Sequence, residues 1–416
     1  MDRTEFVPSI PKYLEDELSI IAKNHQFLEY TIQLDNGSKH GDGFMATMVG
    51  VTLRGQQYHN GLKMNFELPL ICKLLPDSIE RRETFSAAVL FEREVFFYKT
   101  VLPIFIKFLE DRNINVHDEF SMYPKCFVTL YEPQLDHHLI IMENLRSSGY
   151  DMWPKTVPID FDAAAGVLTE LGKFHAISLG ILDQRREIFD DIFRLSEPFR
   201  ELFKGNGATE TMVSGAIQET IDVLEDETEI AVMQTVKDNY ESWFREYLSC
   251  DAAGRFSVLN HGDLWNNNMM FNLKSNRQQL RFVDFQLLRL ASPVLDITYY
   301  ICSSTTQEIH QRFNDLLKIY YDALATFLTK MGSDPNKLFT FNDLQDQFRQ
   351  FGKYGLIFTP ILAGVMVSES KDIIDMDSIK QDTAVAGLAV LNQKTKMLLK
   401  NRMSSVIQLA IEQKWV

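Results

Sequence analysis

Apolar residues follow two different rhythms along this chain. Between residues 27 and 75 they gather in short runs separated by polar turns. Tyr30 to Leu34 is one run, Phe44 to Leu53 a second, and Phe66 to Leu75 a third that stops at Pro76. Short runs bounded by turn residues predict strands. Residues 35–43, between the first two, read Asp-Asn-Gly-Ser-Lys-His-Gly-Asp-Gly, a turn cluster. Ahead of them Pro8 to Lys23 places Leu14, Leu18 and Ile21 at helical spacing, with Ser9 as cap and Pro11 early, which predicts an opening helix. Arg81 to Tyr98 predicts another helix, with Phe85, Val89, Phe96 and Phe97 among its apolar positions. Two further strands are predicted at Cys126 to Tyr131 and His138 to Met142, joined by a turn around Pro133.

After Arg146 the helical rhythm takes over. It is strong in Phe161 to Leu179, Glu219 to Leu248, Gln307 to Lys330 and Thr383 to Glu412. A β-like patch from Ser257 to Phe285 interrupts it. The pattern predicts an α+β protein of two lobes: an antiparallel-sheet part, residues 1–145, and a mainly helical part, residues 146–416. A length of 416 residues is more than one ordinary core requires.

Composition narrows the classes. Hydrophobic residues make up 45% and charged residues 24%, the balance of a soluble globular protein. The formal net charge is −15 and no run of Lys and Arg stands out, which argues against a nucleic-acid partner. Met1 to Leu18 is polar and lacks the apolar core of a signal peptide. The most apolar stretch, Gly355 to Val367, is too short to span a bilayer and contains Pro360. Cys72, Cys126, Cys250 and Cys302 form no C-x-x-C pair, so a zinc ribbon or redox motif is not indicated. The expectation is a cytoplasmic protein with free thiols and no membrane insertion.

The chemistry concentrates in one segment. An apolar strand leads into His261-Gly262-Asp263, Asn268 follows five residues later, and a second apolar strand delivers Asp284-Phe285-Gln286. Phosphoryl transfer to an alcohol needs a carboxylate to accept the hydroxyl proton, and a second carboxylate with an amide oxygen to hold Mg²⁺ on the phosphates. The spacing assigns Asp263 as base and Asn268 and Asp284 as metal ligands, at one end of a hairpin-like strand pair. His261 is expected to orient the loop. Asn, Asp and Gly are also ordinary turn residues, but two ordered polar groups between apolar strands are harder to explain as turns. On the nucleotide side, Lys73 sits in the apolar run Pro69 to Leu75, and burying it calls for an anionic partner. Glu94 and Glu92 are both placed on the following helix to provide one.

These motifs resemble the choline kinase and aminoglycoside phosphotransferase superfamily, and within it most nearly the ecdysteroid kinase-like family of arthropods. The likeness rests on His261 to Asn268, Val283 to Gln286, Ser292-Pro293 with Asp296-Ile297, and Leu171 to Ala176. It implies a protein-kinase-like fold and a lysine–glutamate pair, Lys73 with Glu94 in preference to Glu92. It implies a hinge at Glu143 to Leu145, whose backbone meets adenine, so that Glu143 and Leu145 bind the nucleotide. It implies ATP and Mg²⁺ as cofactors and a small hydroxylated acceptor, an ecdysteroid or related compound. Choline or an aminoglycoside is the alternative acceptor, and a ligand-binding pseudokinase the alternative class. A protein kinase is disfavoured, because His-Gly-Asp and Asp-Phe-Gln replace His-Arg-Asp and Asp-Phe-Gly. Gly41 to Phe44 is a weak candidate for a phosphate cradle. Asp296 is expected to cap a helix and brace the loop, and His175 to be a satisfied helix histidine. The acceptor is expected between the loop, residues 180–250, and helices near Phe351 to Met366.

Overall fold

The computed structural model describes residues 10–36, 46–84, 86–154, 157–192, 208–248, 250–272, 279–369, 372–373 and 389–416. Helix α1, Lys12–Asn24, opens the chain. Its cap position is Pro11, without a side-chain cap, and Ser9 lies outside the described residues. The strands β1, Glu29–Asn36, β2, Thr47–His59, and β3, Leu62–Leu74, then form an antiparallel meander. The second and third strands are longer than their apolar runs. They continue to a tight turn at Asn60-Gly61, both at positive φ (50° and 80°), the sequence signal of a two-residue hairpin.

The helix expected over Arg81 to Tyr98 is broken. Its pieces are α2, Ile79–Thr84, α3, Ala87–Phe96, a π-turn at Phe97–Val101, and α4, Leu102–Glu110. Ser86 adopts φ 49° ahead of α3. Pro103 has no N–H to continue an α-helical ladder, and the wider turn just before it accommodates that gap. Phe85 lies outside the described residues. Strands β4, Cys126–Glu132, and β5, His137–Glu143, complete a five-stranded sheet in the order β1-β2-β3-β5-β4.

Alternation along the sheet decides where its chemistry points. Leu70, Cys72 and Leu74 of β3 and Leu139 and Ile141 of β5 pack with Leu14, Leu18 and Ile21 of α1. Lys73, paired with Ile140, therefore faces the opposite side, toward α3 and the main core.

The rest of the chain is mainly helical, with strand β6, Tyr150–Met152, at its start. The long helices are α5, Phe161–Gln184, α6, Ala208–Val223, and α7, Glu227–Tyr247. The single helix expected over Glu219 to Leu248 is interrupted because Asp226 caps α7 through the Thr228 and Glu229 amides. Strands β7, Val258–Asn260, β8, Met269–Asn272, β9, Leu280–Phe282, and β10, Arg289–Ala291, form the β-like patch. Then come α8, Val294–Ser304, α9, Phe313–Lys330, α10, Phe341–Phe351, α11, Tyr354–Val367, and α12, Gln393–Glu412. The apolar run with Pro360 is α11, buried from Tyr354 to Val365. Among the described residues no single helix is long and apolar enough to cross a membrane.

One glycine allows a close helix contact. A Cβ at Gly172 of α5 would lie 2.6 Å from the Tyr320 carbonyl oxygen of α9. Gly172→Ala is therefore expected to force the two helices apart, lowering stability by about 1–3 kcal/mol despite alanine's better helix propensity. Urea denaturation checks this, and an unchanged or raised midpoint would count against close packing here.

Candidate active site

Two small sheets, rather than one hairpin, position the polar residues. β7 pairs with β10, placing Asn260 opposite Arg289. β8 lies between β6 and β9 in a separate sheet, with Met269 opposite Phe282. The His-Gly-Asp loop thus bridges two sheets, and this corrects the single strand pair expected from spacing. The Val283 N–H donates to the Asn268 carbonyl (3.0 Å), so Asn268 and Asp284 lie on neighbouring strand ends.

Asp263 is held on both carboxylate oxygens. Tyr299 of α8 donates its hydroxyl to Oδ1 at 2.6 Å, and the Asn268 amide donates Nδ2–H to Oδ2 at 2.8 Å. Asn268 Nδ2 also donates to the Asp263 carbonyl at 2.9 Å. Both amide hydrogens are spent on Asp263, which leaves Asn268 Oδ1 as the atom able to meet a cation. The Asp263 carboxyl is pushed up to about 6: burial raises it, the Tyr299 hydrogen bond opposes, and the Asp284 charge adds.

The backbone under Asp263 is shaped by Asp296. Its carboxylate accepts the His261 N–H at 2.7 Å and the Gly262 N–H at 2.9 Å. Asp296 lies inside α8, whose N-cap is Pro293, so it braces the loop without capping the helix. Its third partner is His175 Nε2 at 3.2 Å, while the Tyr320 hydroxyl meets His175 Nδ1 at 2.8 Å. Burial works against the Asp296 charge, but His175 and neighbouring groups hold its carboxyl below the ordinary range. His261 is fully buried, and that burial lowers its pKa. As a neutral ring it donates from Nε2 to the Val283 carbonyl (3.0 Å) and accepts the Asp263 N–H on Nδ1 (3.3 Å). Gly262 has φ 88°, and a Cβ there would stand 2.0 Å from the Leu287 carbonyl oxygen, so only glycine fits.

Lys73 meets two acids. Its ammonium donates to Glu94 Oε2 and, at 2.7 Å, to Asp284 Oδ1. Lys73 and Glu94 are buried, Glu92 is exposed, and Asp284 keeps 27% of its side chain exposed. Burial disfavours the lysine charge, but Asp284 and Glu94 outweigh it and hold its pKa above the usual value. Burial pushes the Glu94 carboxyl up, with Lys73 opposing. Asp284 adopts φ 67°, a left-handed conformation that Asp tolerates better than most residues and that often marks functional sites. The adjoining Phe285 ring stacks on Phe97 at 3.8 Å between centroids, tying the Asp284 turn to the π-turn that follows the helix carrying Glu94.

Glu143 and Leu145 flank the exit from β5. The Glu143 N–H donates to the Lys125 carbonyl and the Asn144 N–H to the Pro69 carbonyl, so neither is open to a ligand. The Gly41 to Phe44 segment lies outside the described residues.

Three residues were not singled out from sequence. Tyr299 touches Asp263, Ser304 Oγ accepts the Asn266 N–H at 3.1 Å, and Arg289 donates to the Gly262 carbonyl at 3.3 Å and the Tyr354 hydroxyl at 2.7 Å. The first two belong to α8, which is buried throughout, so no periodic pattern marks them.

A strand lysine paired with a helix glutamate, facing an Asp-bearing loop on a helical body, is the layout of the two-lobed kinase-like folds. The chain belongs to the ecdysteroid kinase-like family, whose model matches residues 40–333. Similar solved structures include an aminoglycoside 2′-phosphotransferase in its GDP complex, with 14% identity and a TM-score of 0.40, covering 82% of this chain and 94% of that one. Another is a microcompartment-associated aminopropanol kinase, with 11% identity and a TM-score of 0.45, covering 96% and 98%. Comparison with curated proteins finds no match.

Asp296→Ala is expected to strand the His261 and Gly262 amides and the His175 ring. The loss should be about 3–5 kcal/mol, the range for breaking a buried charge network. Chemical denaturation measures it, and a loss below about 1 kcal/mol would show that the loop does not depend on Asp296.

Proposed function

We propose that this protein transfers the γ-phosphoryl group of ATP to a hydroxyl of a small molecule, with an ecdysteroid or related hydroxylated compound as acceptor. The observation that carries the reading is the gathering of Asp263, Asn268 and Asp284 beside the buried Lys73–Glu94 pair. Family membership supports the reaction class and the acceptor.

In this reading Asp263 accepts the proton of the attacking hydroxyl. A carboxyl pushed up to about 6 is still mostly ionised near neutral pH and is a better base than an ordinary carboxylate. Asn268 Oδ1 and the exposed side of Asp284 would hold Mg²⁺, which would draw charge from the phosphates. The donor set fits that ion: Mg²⁺ is commonly bound by one or two carboxylates together with substrate phosphates. Among the described residues no group of three or more His, Cys, Asp and Glu forms a closed metal cage. Lys73 lies next to Asp284 and contributes the cation for the phosphates, with Glu94 fixing its direction. The Leu145 N–H and neighbouring carbonyls meet the adenine. Residues 1–145 then form the nucleotide half and residues 146–416 the acceptor half. Tyr299, Tyr354 and Phe358 pack together as a buried aromatic group, and Tyr299 joins that group to Asp263.

Two substitutions test the reading. Asp263→Asn is expected to lower turnover by about 10²–10⁴-fold while MgATP still binds. ADP release measured across ecdysteroids, other hydroxylated sterols and choline checks this, and equal turnover in the variant would remove Asp263 from the chemistry. Asp284→Ala is expected to abolish the Mg²⁺ dependence of nucleotide binding, read by calorimetry with and without the metal. Unchanged Mg²⁺ dependence would place the metal elsewhere.

A further inference from the structure

We infer that Tyr299 is a positioning residue for phosphoryl transfer: its hydroxyl fixes the plane of the Asp263 carboxylate and so the line along which the acceptor hydroxyl approaches. This rests on the reading of Asp263 as the base.

The argument starts from helix α8. It grips the catalytic loop at three points along its length. Asp296 takes the His261 and Gly262 amides near the start, Tyr299 meets Asp263 in the middle, and Ser304 takes the Asn266 amide at the end. The outer two contacts hold loop backbone, so α8 and the loop are fixed relative to each other. The middle contact is different in kind, because it acts on the reactive side chain. With both ends of the grip set by backbone bonds, the 2.6 Å separation between Tyr299 Oη and Asp263 Oδ1 is imposed by the scaffold.

The phenol has little freedom of its own. Its ring is buried, with centroids 6.4 Å from Tyr354 and 5.4 Å from Phe358. Burial also keeps it protonated, since its pKa is raised well above the ordinary tyrosine value. Tyr299 therefore serves as a fixed donor and does not compete with Asp263 for the proton.

An aspartate carboxylate rotates freely about its last torsion unless something stops it. Here the Tyr299 hydroxyl holds Oδ1 and the Asn268 amide holds Oδ2, and any rotation breaks both bonds. Each oxygen retains one more in-plane lone pair. The incoming hydroxyl must use one of those, so the pinned plane sets the direction of attack. Orientation of this sort contributes to the rate through near-attack geometry, where a misplacement of about 1 Å costs up to about 10²-fold. A merely structural Tyr299 would need only its ring.

Tyr299→Phe separates these roles, because it keeps the ring and removes the hydroxyl. With the acceptor that the parent protein phosphorylates, kcat is expected to fall about 10–100-fold. KM for that acceptor, MgATP affinity and the unfolding midpoint should stay near parental values. A crystal structure of the variant should show the Asp263 carboxylate rotated or in two orientations, with the Asn268 Nδ2 to Oδ2 bond lost. An unaltered kcat, or an Asp263 that stays in place, overturns the inference. A joint loss of kcat, affinity and stability assigns Tyr299 to packing and overturns it too. If the parent releases no ADP with any ecdysteroid, hydroxylated sterol or choline, the reading of Asp263 as base fails and takes the inference with it. That result differs from one in which parent and variant turn over equally, which sinks the Tyr299 role alone.

Discussion

The buried ammonium of Lys73 is the contact on which the arrangement of this protein depends. A lysine taken out of water is unfavourable by several kcal/mol unless it is closely paired. Here it is met by Glu94 from α3 and by Asp284 from the turn after β9. The three residues come from the sheet, the helix beneath it and the helical half of the chain, so one charge ties all three together. Apolar packing reinforces the same junction through the Phe97–Phe285 stack. Buried ion pairs are weak evidence for stability as such, and this one is better understood by its charge count. Two carboxylates against one ammonium leave an excess negative charge, and Asp263 adds to it. Such a charge count would disfavour a bare polyphosphate. In the proposed reading a divalent cation would offset that charge, so that Mg²⁺ and a nucleotide would enter together.

Helix α8 is the second organising element. A loop has no strand ladder to satisfy its amides, and buried amides left unpaired are costly. α8 resolves this by presenting Asp296 to the His261 and Gly262 amides and Ser304 to the Asn266 amide. The His175 and Tyr320 hydrogen bonds then anchor Asp296 to α5 and α9. The close helix packing at Gly172 therefore bears on the site, because His175 lies one turn further along the same helix and faces the same neighbour.

The candidate-site segment was legible because its residue types are demanding. His261-Gly262-Asp263, Asn268 and Asp284 sit between apolar strands in fixed order, and the structure brings Asp263 and Asn268 into contact and places Asp284 at the next strand end. Lys73 was legible because a cation in an apolar strand must have a partner. Glu94 and Glu92 were harder to separate, since both lie on one helix, and burial of Glu94 beside Phe91 and Val95 settles the choice. Other features left weaker traces. The breaks around α3 come from Ser86 and Pro103 acting against an otherwise continuous helical pattern. The long β2–β3 hairpin lies in polar sequence, where the Asn60-Gly61 turn was the available signal. Tyr299 and Ser304 left none, because every position of α8 is buried and nothing distinguishes a side chain that touches the loop from one that fills the core.

Arg289 shows how far a motif depends on its surroundings. Protein kinases place an arginine between the histidine and the aspartate of the loop. This chain has Gly262 there, and the left-handed backbone and the nearby Leu287 carbonyl leave no room for any side chain. A guanidinium nevertheless reaches the loop, delivered from β10 by Arg289, which donates to the Gly262 carbonyl. Its charge favours the ionised forms of Asp263 and Asp296. The same guanidinium donates to the Tyr354 hydroxyl of α11, whose ring lies in the aromatic group with Tyr299 and Phe358. A cation within the loop sequence would act on the loop alone. Supplied from β10, it also joins the loop to the buried aromatic group of α11, so the Gly262 carbonyl and the Tyr354 hydroxyl are held by one side chain.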